Sequence, residues 1–462
     1  MSALSVVSPV DGSVYAERPY ASEVQIAAAL EAGKRAGESW RRCSVEERAA
    51  LVLKAVDIFV SMKEILAQEI TWQMGRPIRF APGEINGFEE RARYMASIAP
   101  GALSAIHPEP KDGFSRFIVR EPLGQVLVVA PWNYPYLTAV NAVVPALLSG
   151  NTVLIKHSAQ TPLCAERFVQ VFKEAGLPEG VFQFLHLDHA ATERVIKAPE
   201  INFVAFTGSV AGGKMVEQCT AGLFKGSGLE LGGKDPAYVR ADANVSHAVE
   251  TVVDGAFFNS GQSCCGIERA YVHESIFEEF LAGAITAVQA YELNDPTRHE
   301  TTLGPLVKQS AAEFARAQVS EAIAQGAVAH IDVGRFSRDD GSGAYMAPQL
   351  LTGVNHDMRL MTEETFGPVL GVQSVSSDEE AIALMNDSDY GLTAAVFTED
   401  QEAAISIGNR VNTGTWFMNR CDYLDPALAW TGVKDSGRGC TLSSVGFEHL
   451  TRPKSFHLKT KI

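Results

Sequence analysis

Cysteine is scarce in this sequence and follows no regular spacing. Seven cysteines among 462 residues are too few for the disulfide framework of a secreted domain. None falls in a C-x-x-C pattern with partner histidines, so no metal site is predicted. Because disulfides are rare in reducing compartments, a cytoplasmic protein is expected.

Basic residues are also in the minority. The 39 Lys and Arg residues against 55 Asp and Glu residues give a formal net charge of −16, and no block of basic residues stands out. Nucleic acids bind to basic surfaces, so a nucleic-acid partner is not expected.

Targeting signals and membrane spans are not apparent either. Residues 1–9 have no basic stretch followed by an apolar run, and the last residues match no lipidation or retention signal. One apolar stretch covers residues 126–148, but three prolines and two asparagines interrupt it. A buried strand, turn and helix are therefore predicted there, and no membrane partner.

The sequence does have the length and pattern of a large α/β protein. Its 462 residues with 46% hydrophobic content suffice for two or three domains. Helical periodicity dominates residues 23–35, 44–62, 63–74 and 87–99, and Ser44 with Glu47 predicts a capping box. From residue 117, β-branched runs at 118–119, 126–129, 152–155, 181–185 and 203–206 alternate with helices. A second such stretch, residues 233–432, includes strands at 269–273 and 369–375, so parallel sheets covered by helices are predicted.

Two segments carry side chains suited to covalent chemistry. Residues 259–266 (NSGQSCCG) form a small-residue loop with two thiols, and a nucleophilic cysteine must be reachable and partly ionised. Residues 228–234 (GLELGGK) surround Glu230 with glycine and leucine, a setting that raises a carboxylate pKa toward general-base use. Taken alone, the cysteine segment is better explained by two buried structural cysteines, and Glu230 fits a glutamate satisfied at a strand end as well as it fits a base.

Two further segments follow predicted strands and suit ligand binding. Residues 130–135 (APWNYP) place the Asn133 amide at a strand end, where it can stabilise an oxyanion. Residues 206–213 (FTGSVAGG) lie between a strand and a helix, where backbone N–H groups can bind a diphosphate. The second segment is not the G-x-G-x-x-G fingerprint.

Together these four segments resemble the aldehyde dehydrogenase superfamily, over nearly the whole chain. They occur in the family's order, and the later segments 363–369, 386–392 and 432–437 look like its remaining landmarks. The resemblance implies an NAD(P)-dependent, hydrolytic enzyme that oxidises an aldehyde to an acid through a thioester. Cys264 matches the nucleophile, Glu230 the base and Asn133 an oxyanion-hole donor.

The resemblance also implies a cofactor site for NAD or NADP. It assigns the ribose to Lys156, the diphosphate to Trp132 and Ser209, and the nicotinamide half to Glu364 and Phe366. Its other implied members are Ser158, Ala159, Gly208, Gly213 and Leu231. Relatives that prefer NAD commonly have a glutamate at the position of Ala159, so acceptance of NADP at least comparable to that of NAD is predicted.

The substrate site implied by the family contains Tyr134, Ser263, Cys265, Leu424 and Trp430. These residues suggest an apolar or aromatic throat for a small-molecule aldehyde. No arginine falls among them, which disfavours a dicarboxylic semialdehyde, although Arg91, Arg93 or Arg420 could reach the site.

The family fold implies a domain division as well. Residues 1–105 and 123–232 would form a Rossmann-type dinucleotide-binding domain, and residues 233–433 an α/β catalytic domain. Residues 106–122 and 447–462 would form a small β oligomerisation element. Alternation at Phe456, Leu458 and Ile462 independently predicts a half-buried strand over residues 455–462, so a homodimer or homotetramer is expected.

Two other functions are compatible with parts of this pattern. A catalytically silent relative would keep the fold, although the intact Cys264, Glu230 and Asn133 argue against it. A cysteine hydrolase could pair Cys264 with a histidine such as His273, but this leaves the diphosphate turn and Glu364 unexplained.

Overall fold

The computed structural model describes residues 3–462. Its strands are β1 (Ala3–Val7), β2 (Val14–Pro19), β3 (Phe114–Pro122), β4 (Gln125–Ala130), β5 (Thr152–His157), β6 (Phe182–Phe184), β7 (Ile201–Thr207), β8 (Gly226–Glu230), β9 (Asp235–Val239), β10 (Ile267–His273), β11 (Val328–Ala329), β12 (Gln349–Thr352), β13 (Val369–Val375), β14 (Thr393–Phe397), β15 (Thr415–Met418), β16 (Gly437–Arg438) and β17 (Thr451–Lys459).

The helices alternate with these strands for most of the chain. They are α1 (Glu23–Trp40), α2 (Val45–Ser61), α3 (Lys63–Met74), α4 (Ala81–Ala102), α5 (Pro135–Leu148), α6 (Pro162–Ala175), α7 (His189–Lys197), α8 (Val210–Thr220), α9 (Val245–Phe257), α10 (Phe277–Gln289), α11 (Gln309–Ala324), α12 (Arg359–Thr362), α13 (Asp378–Asn386) and α14 (Gln401–Gly408).

Two mainly parallel sheets organise the fold. The first has the strand order β16-β8-β7-β4-β5-β6, and the second the order β11-β12-β13-β10-β9-β14-β15. Only β16 and β11 pair antiparallel with their neighbours. Every residue of β4 is buried, because helices cover both faces of a parallel sheet. The predicted α/β class is therefore confirmed.

The helical prediction for the first hundred residues is correct in type but incomplete. The Ser44 hydroxyl accepts from the Glu47 N–H at 3.2 Å, and the Glu47 carboxylate accepts from the Ser44 N–H at 2.7 Å, which confirms the capping box. The helix predicted at residues 87–99 begins six residues earlier, at Ala81. The β1–β2 hairpin was missed, because its short strands are largely exposed on one side or both.

The apolar stretch at residues 126–148 becomes strand β4, a turn and helix α5. Pro135 occupies the first position of α5, where its missing N–H costs no helical hydrogen bond. Among residues 3–462, no helix is long and apolar enough to cross a bilayer.

The C-terminal strand pairs within its own chain. Strand β17 runs antiparallel to β3 from Thr451 opposite Pro122 to Lys459 opposite Phe114. The strand predicted at residues 455–462 is thus displaced toward the N-terminus, and Ile462 lies beyond it. The prediction that one face of this strand is buried is also wrong for the single chain, since 47% of Leu458 is exposed. In the two-stranded ribbon β3–β17, seven of the nine β17 residues are exposed, whereas eight of the nine β3 residues are half-buried.

Candidate active site

The loop that carries Cys264 is held in an unusual backbone conformation. Asn259, Ser260 and Gly261, which follow α9, have φ angles of 54°, 58° and 70°. Left-handed non-glycine residues are costly and cluster at functional sites. A Cβ on Gly261 would collide with the Gly367 carbonyl, so this turn requires glycine. It places Cys264 partly exposed, whereas Cys265 is buried.

Cys264 lies between two cavities. The larger cavity has a volume of about 660 Å³ and contains all the side chains predicted for the substrate: Tyr134, Ser263, Cys265, Leu424 and Trp430. Arg91 also lines it, whereas Arg93 and Arg420 do not. The throat is therefore less apolar than the sequence suggested.

The smaller cavity, of about 190 Å³, contains many of the side chains predicted for the cofactor. These are Trp132, Gly208, Ser209, Leu231, Glu364 and Phe366, together with Asn133. Cys264 and Glu230 line both cavities. The thiol and the carboxylate thus stand where the two spaces adjoin.

The remaining predicted cofactor residues lie outside the smaller cavity. Lys156 is opposite Val129 in the β4–β5 pairing, one strand away from Trp132, and Ser158 and exposed Ala159 follow it. A Cβ on Gly213 would lie 2.6 Å from a methyl carbon of Leu231. Gly213 therefore serves the close packing of α8 rather than lining the cavity.

Glu230 is the last residue of β8 and lies half-buried between two hydroxyl donors. Its Oε1 accepts from Thr441 at 2.6 Å, and its Oε2 accepts from Thr207 at 3.1 Å. Burial raises the pKa of Glu230, while the two threonine bonds and the charge of Arg91 oppose that rise. Desolvation is the largest of these effects, so the carboxylate is a stronger base than an exposed glutamate.

Asn133 is buried immediately after β4. Its Nδ2 donates to the Gln262 carbonyl at 3.2 Å, and its own carbonyl accepts from Arg76 and from Asn259 at 3.3 Å. One amide N–H remains for a further acceptor. Because Asn133 and Cys264 line the same cavity, the amide is fixed near the thiol.

Residues of the first sheet supply the features that a dinucleotide needs. Burial lowers the pKa of Lys156, and no acceptor within residues 3–462 bonds its ammonium group. Ser209 caps the eleven-residue helix α8 by accepting from the Gly212 N–H at 3.2 Å. A cation at the end of β5 and a helix N-terminus after β7, on either side of β4, fit the hydroxyl and phosphate oxygens of NAD or NADP.

A buried ion pair supports the segment that contains Glu364 and Phe366. Lys234 pairs with Glu268, and the Glu268 carboxylate accepts from the Phe366 N–H at 2.8 Å. Glu364 accepts from the Gly233 N–H at 3.0 Å. Burial and the charge of Glu268 raise the pKa of Glu364 to about 8.

Phe366 adopts a φ of 52°. Its ring packs edge-on against the ring of Trp132, with 5.6 Å between the ring centroids. This contact joins the Glu364–Phe366 segment to the turn after β4. The two segments therefore line the smaller cavity side by side, although they are far apart in the chain.

Asp422 is a site residue that sequence reasoning missed. One of its carboxylate oxygens accepts from Ser263 at 3.1 Å and from Cys265 at 2.9 Å. Asp422 thus holds the residues on both sides of Cys264. Burial raises the pKa of Asp422 to about 6. Nothing local marked this aspartate, because its partners lie about 160 residues away.

His273, the alternative partner for Cys264, is not part of this site. It ends β10, contacts the Ser275 hydroxyl at 2.8 Å and lines neither cavity. Within the described chain, no cluster of three or more His, Cys, Asp or Glu side chains could hold a metal ion.

A thiol and a half-buried carboxylate lie between two cavities, beside the carboxyl ends of parallel strands. This arrangement is typical of an enzyme that acts on a small molecule next to a nucleotide. The model of the aldehyde dehydrogenase family matches residues 2–456. The chain belongs to this family.

Individual relatives agree with this assignment. The chain is 35% identical over 451 residues to a succinate-semialdehyde dehydrogenase [NADP(+)] of Deinococcus radiodurans, covering 97% of this chain and 94% of the relative. It is 33% identical to a succinate semialdehyde dehydrogenase [NAD(P)+] of Escherichia coli, covering 96% and 95%. An NAD-dependent aldehyde dehydrogenase structure from Sinorhizobium meliloti superposes with a TM-score of 0.94 at 32% identity, covering 99% and 92%.

The chain is thus an oxidoreductase that oxidises aldehydes with NAD or NADP. The predictions of family, reaction class and cofactor class are confirmed.

Proposed function

We propose that this enzyme oxidises an aldehyde on Cys264 and hydrolyses the resulting thioester with Glu230. The observation that carries the proposal is that both side chains line the two adjoining cavities. An aldehyde in the larger cavity and a nicotinamide in the smaller one would then meet at the same thiol.

The first half of the reaction is acylation. The Cys264 thiolate attacks the aldehyde carbon, and the carbonyl oxygen becomes an oxyanion that accepts from the Asn133 amide and the Cys264 N–H. Bound NAD or NADP supplies the hydride acceptor. Loss of hydride from the substrate carbon leaves a thioester on Cys264.

The second half is hydrolysis. Glu230 removes a proton from a water molecule, the hydroxide attacks the thioester carbon, and the Cys264 thiolate leaves as the free acid forms. Thr207 and Thr441 orient the Glu230 carboxylate for this step.

We further propose that the aldehyde itself carries a carboxylate. The relatives from D. radiodurans and E. coli are named for succinate semialdehyde, and the larger cavity contains arginine.

To test the function, purified protein is mixed with NADP and a panel of aliphatic, aromatic, amino- and carboxy-aldehydes. Absorbance of the reduced cofactor should rise, and acid product should accumulate without added coenzyme A. A protein that reduces no cofactor with any aldehyde would refute the proposal.

Lys156 and Ser158 are proposed to hold the adenosine ribose. Trp132, Gly208 and Ser209 would contact the diphosphate, and Glu364, Phe366 and Leu231 the nicotinamide half. Support comes from the half-buried ammonium of Lys156, which has no hydrogen-bond acceptor within residues 3–462, and from the capped N-terminus of α8.

Ala159→Glu is expected to shift cofactor preference toward NAD. Ala159 is exposed beside Ser158, so a glutamate fits without disturbing the core and would repel a 2′-phosphate. A like-charge clash of about 1–3 kcal/mol corresponds to a shift of one to two orders of magnitude in the kcat/KM ratio of NAD over NADP. Steady-state kinetics with both cofactors measures it, with Ala159→Gln as the uncharged control. Equal ratios in the glutamate variant and the wild type would mean that position 159 does not discriminate.

We propose that the enzyme is a cytoplasmic homodimer or homotetramer with the domain division given above. All seven cysteines are free, as in a reducing compartment. The β3–β17 ribbon supports assembly, because an isolated two-stranded sheet is marginally stable in water. Phe117 and Phe456 stack across it at 4.7 Å, so it presents apolar surface to a second copy.

Deletion of residues 455–462 is expected to lower the oligomeric state. The deletion removes five of the nine paired positions of β17, and with them the Phe456 ring and half-exposed Leu458. Light scattering after size-exclusion chromatography measures the mass, and circular dichroism checks that the helices persist. An unchanged mass would exclude this ribbon from the interface.

A further inference from the structure

Arg91 is a buried cation in the wall of the larger cavity. It belongs to α4 and is only 8% exposed, yet no carboxylate within residues 3–462 lies at ion-pair distance from it. Carboxylates act on Arg91 only from beyond that distance, and burying a guanidinium without a directly paired counter-charge is costly unless a partner arrives. The cavity, which Arg91 shares with Cys264, is the space from which that partner would come.

The hydrogen bonds of Arg91 leave one edge of the guanidinium free. Its Nη1 donates to the Leu137 carbonyl at 2.6 Å and to the Asn141 side-chain oxygen at 3.3 Å, both from α5. In the described chain, Nε and Nη2 have no acceptor. The Nη1 bonds therefore fix the orientation of the group while its Nε–Nη2 edge stays available.

The Nε–Nη2 edge is suited to a carboxylate. Two parallel N–H groups match the two oxygens of a carboxylate in a bidentate pair. Arg18 of this chain binds Glu166 in that way, with Nε at 2.7 Å and Nη2 at 3.2 Å from the two oxygens.

The other arginine in this wall is already occupied. Arg76 pairs with Glu84 through Nη1, donates to the Asn259 side-chain oxygen at 3.1 Å through Nε, and bonds the Asn133 carbonyl through Nη2. Its three nitrogens are all engaged, so Arg76 supports the Asn133 turn. Of the two cations in the wall, only Arg91 has a free edge.

The inner carboxylates of the cavity do not compete for that edge. Glu84 binds Arg76 and accepts from the Tyr136 N–H at 2.8 Å. Asp422 accepts from Ser263 and Cys265, and Glu230 from two threonines. Near the mouth, Glu90 accepts from Tyr423 at 2.9 Å, and Asp254 is exposed.

We propose that Arg91 is the specificity-determining residue of this enzyme and binds the carboxylate of a carboxylated aldehyde through its Nε–Nη2 edge. The inference rests on the proposed function and names the residue that selects the substrate. Asn141 and the Leu137 carbonyl act as positioning groups, because they fix the guanidinium through Nη1.

The test compares aldehydes that differ only at the end of the carbon chain opposite the aldehyde group. Succinate semialdehyde, butanal and 4-aminobutanal share a four-carbon chain and end in a carboxylate, a methyl group and an amine. Wild-type enzyme should have its highest kcat/KM with succinate semialdehyde, and succinate should inhibit butanal oxidation competitively. A wild type that prefers butanal or 4-aminobutanal, or that succinate does not inhibit, would overturn the assignment.

Arg91→Met removes the guanidinium, whereas Arg91→Lys keeps a positive charge but lacks the two parallel N–H donors. Loss of a charge-assisted pair should lower the kcat/KM ratio of succinate semialdehyde over butanal by about 10- to 100-fold in Arg91→Met, mainly through KM. The same ratio in Arg91→Lys should lie between the ratios of Arg91→Met and the wild type.

Arg93→Met is the matched control, because Arg93 lies on the outside of the same helix and pairs with Asp57 and Glu89. It should leave the ratio unchanged. An unchanged ratio in Arg91→Met, or an equal fall in Arg93→Met, would refute the role of Arg91 while leaving the proposed function intact. A wild type that oxidises none of the three aldehydes, nor any other in the panel, would refute the proposed function itself.

Discussion

Cys264→Ala is expected to abolish aldehyde oxidation while cofactor binding survives. Without the sulfur no covalent adduct forms, and losing the nucleophile of a covalent enzyme typically costs on the order of 10⁴-fold or more in kcat. The substitution does not touch Lys156 and Ser209, the residues proposed to bind the cofactor. Reduced-cofactor absorbance measures the rate, and fluorescence titration measures NADP binding.

Cys265→Ser is the matched control for the neighbouring thiol. A serine hydroxyl still donates to Asp422, whose carboxylate accepts from the Cys265 thiol at 2.9 Å. This variant should keep most of the activity, because Cys265 is buried and points its sulfur to Asp422. If Cys265→Ser were inactive and Cys264→Ala active, the nucleophile would have been assigned to the wrong cysteine.

Glu230→Gln is expected to stall the enzyme after hydride transfer. Glutamine keeps the shape of the side chain, but it takes no proton from water, and loss of a general base costs about 10²- to 10⁴-fold. Stopped-flow mixing should show a burst of reduced cofactor followed by slow turnover. Mass spectrometry should find the acyl group on Cys264. Steady-state turnover at the wild-type rate would exclude Glu230 as the base.

Thr441→Val adds a test that leaves the carboxylate in place. The Thr441 hydrogen bond favours the ionised form and lowers the pKa of Glu230, so its removal should raise that pKa. Because Glu230 acts as a base only when ionised, the acid limb of the kcat profile should move to higher pH. The limb should vanish with Glu230→Gln if this group causes it. A limb at the same pH in Thr441→Val would assign the titration to another group.

Local sequence was informative where one segment carries its own chemistry. The strand–turn–helix texture, the Ser44 capping box and the four motif segments could each be identified from neighbouring residues. Once the fold brings the carboxyl ends of parallel strands together, residues at the end of β8 and just after β4 and β7 meet at one sheet edge. This is why Asn133, Ser209 and Glu230 lie around the cavities that Cys264 adjoins.

Residues whose roles depend on distant partners were not predictable in the same way. Asp422 matters because it accepts from Ser263 and Cys265 across about 160 residues. Thr441 contacts Glu230 across 211 residues. The position of Arg91 was left open, because a periodic helix pattern does not say which face meets a cavity.

The order of the motifs and the proposed roles of Cys264, Glu230 and Asn133 came from the sequence alone, since a family resemblance depends on residue types and their order along the chain. The tertiary structure decided which charges are paired. Arg76 and Arg91 look alike in sequence, but Arg76 meets Glu84 whereas Arg91 keeps its Nε–Nη2 edge free. The availability of a charge depends on the distances to its partners, and those distances exist only after the chain has folded.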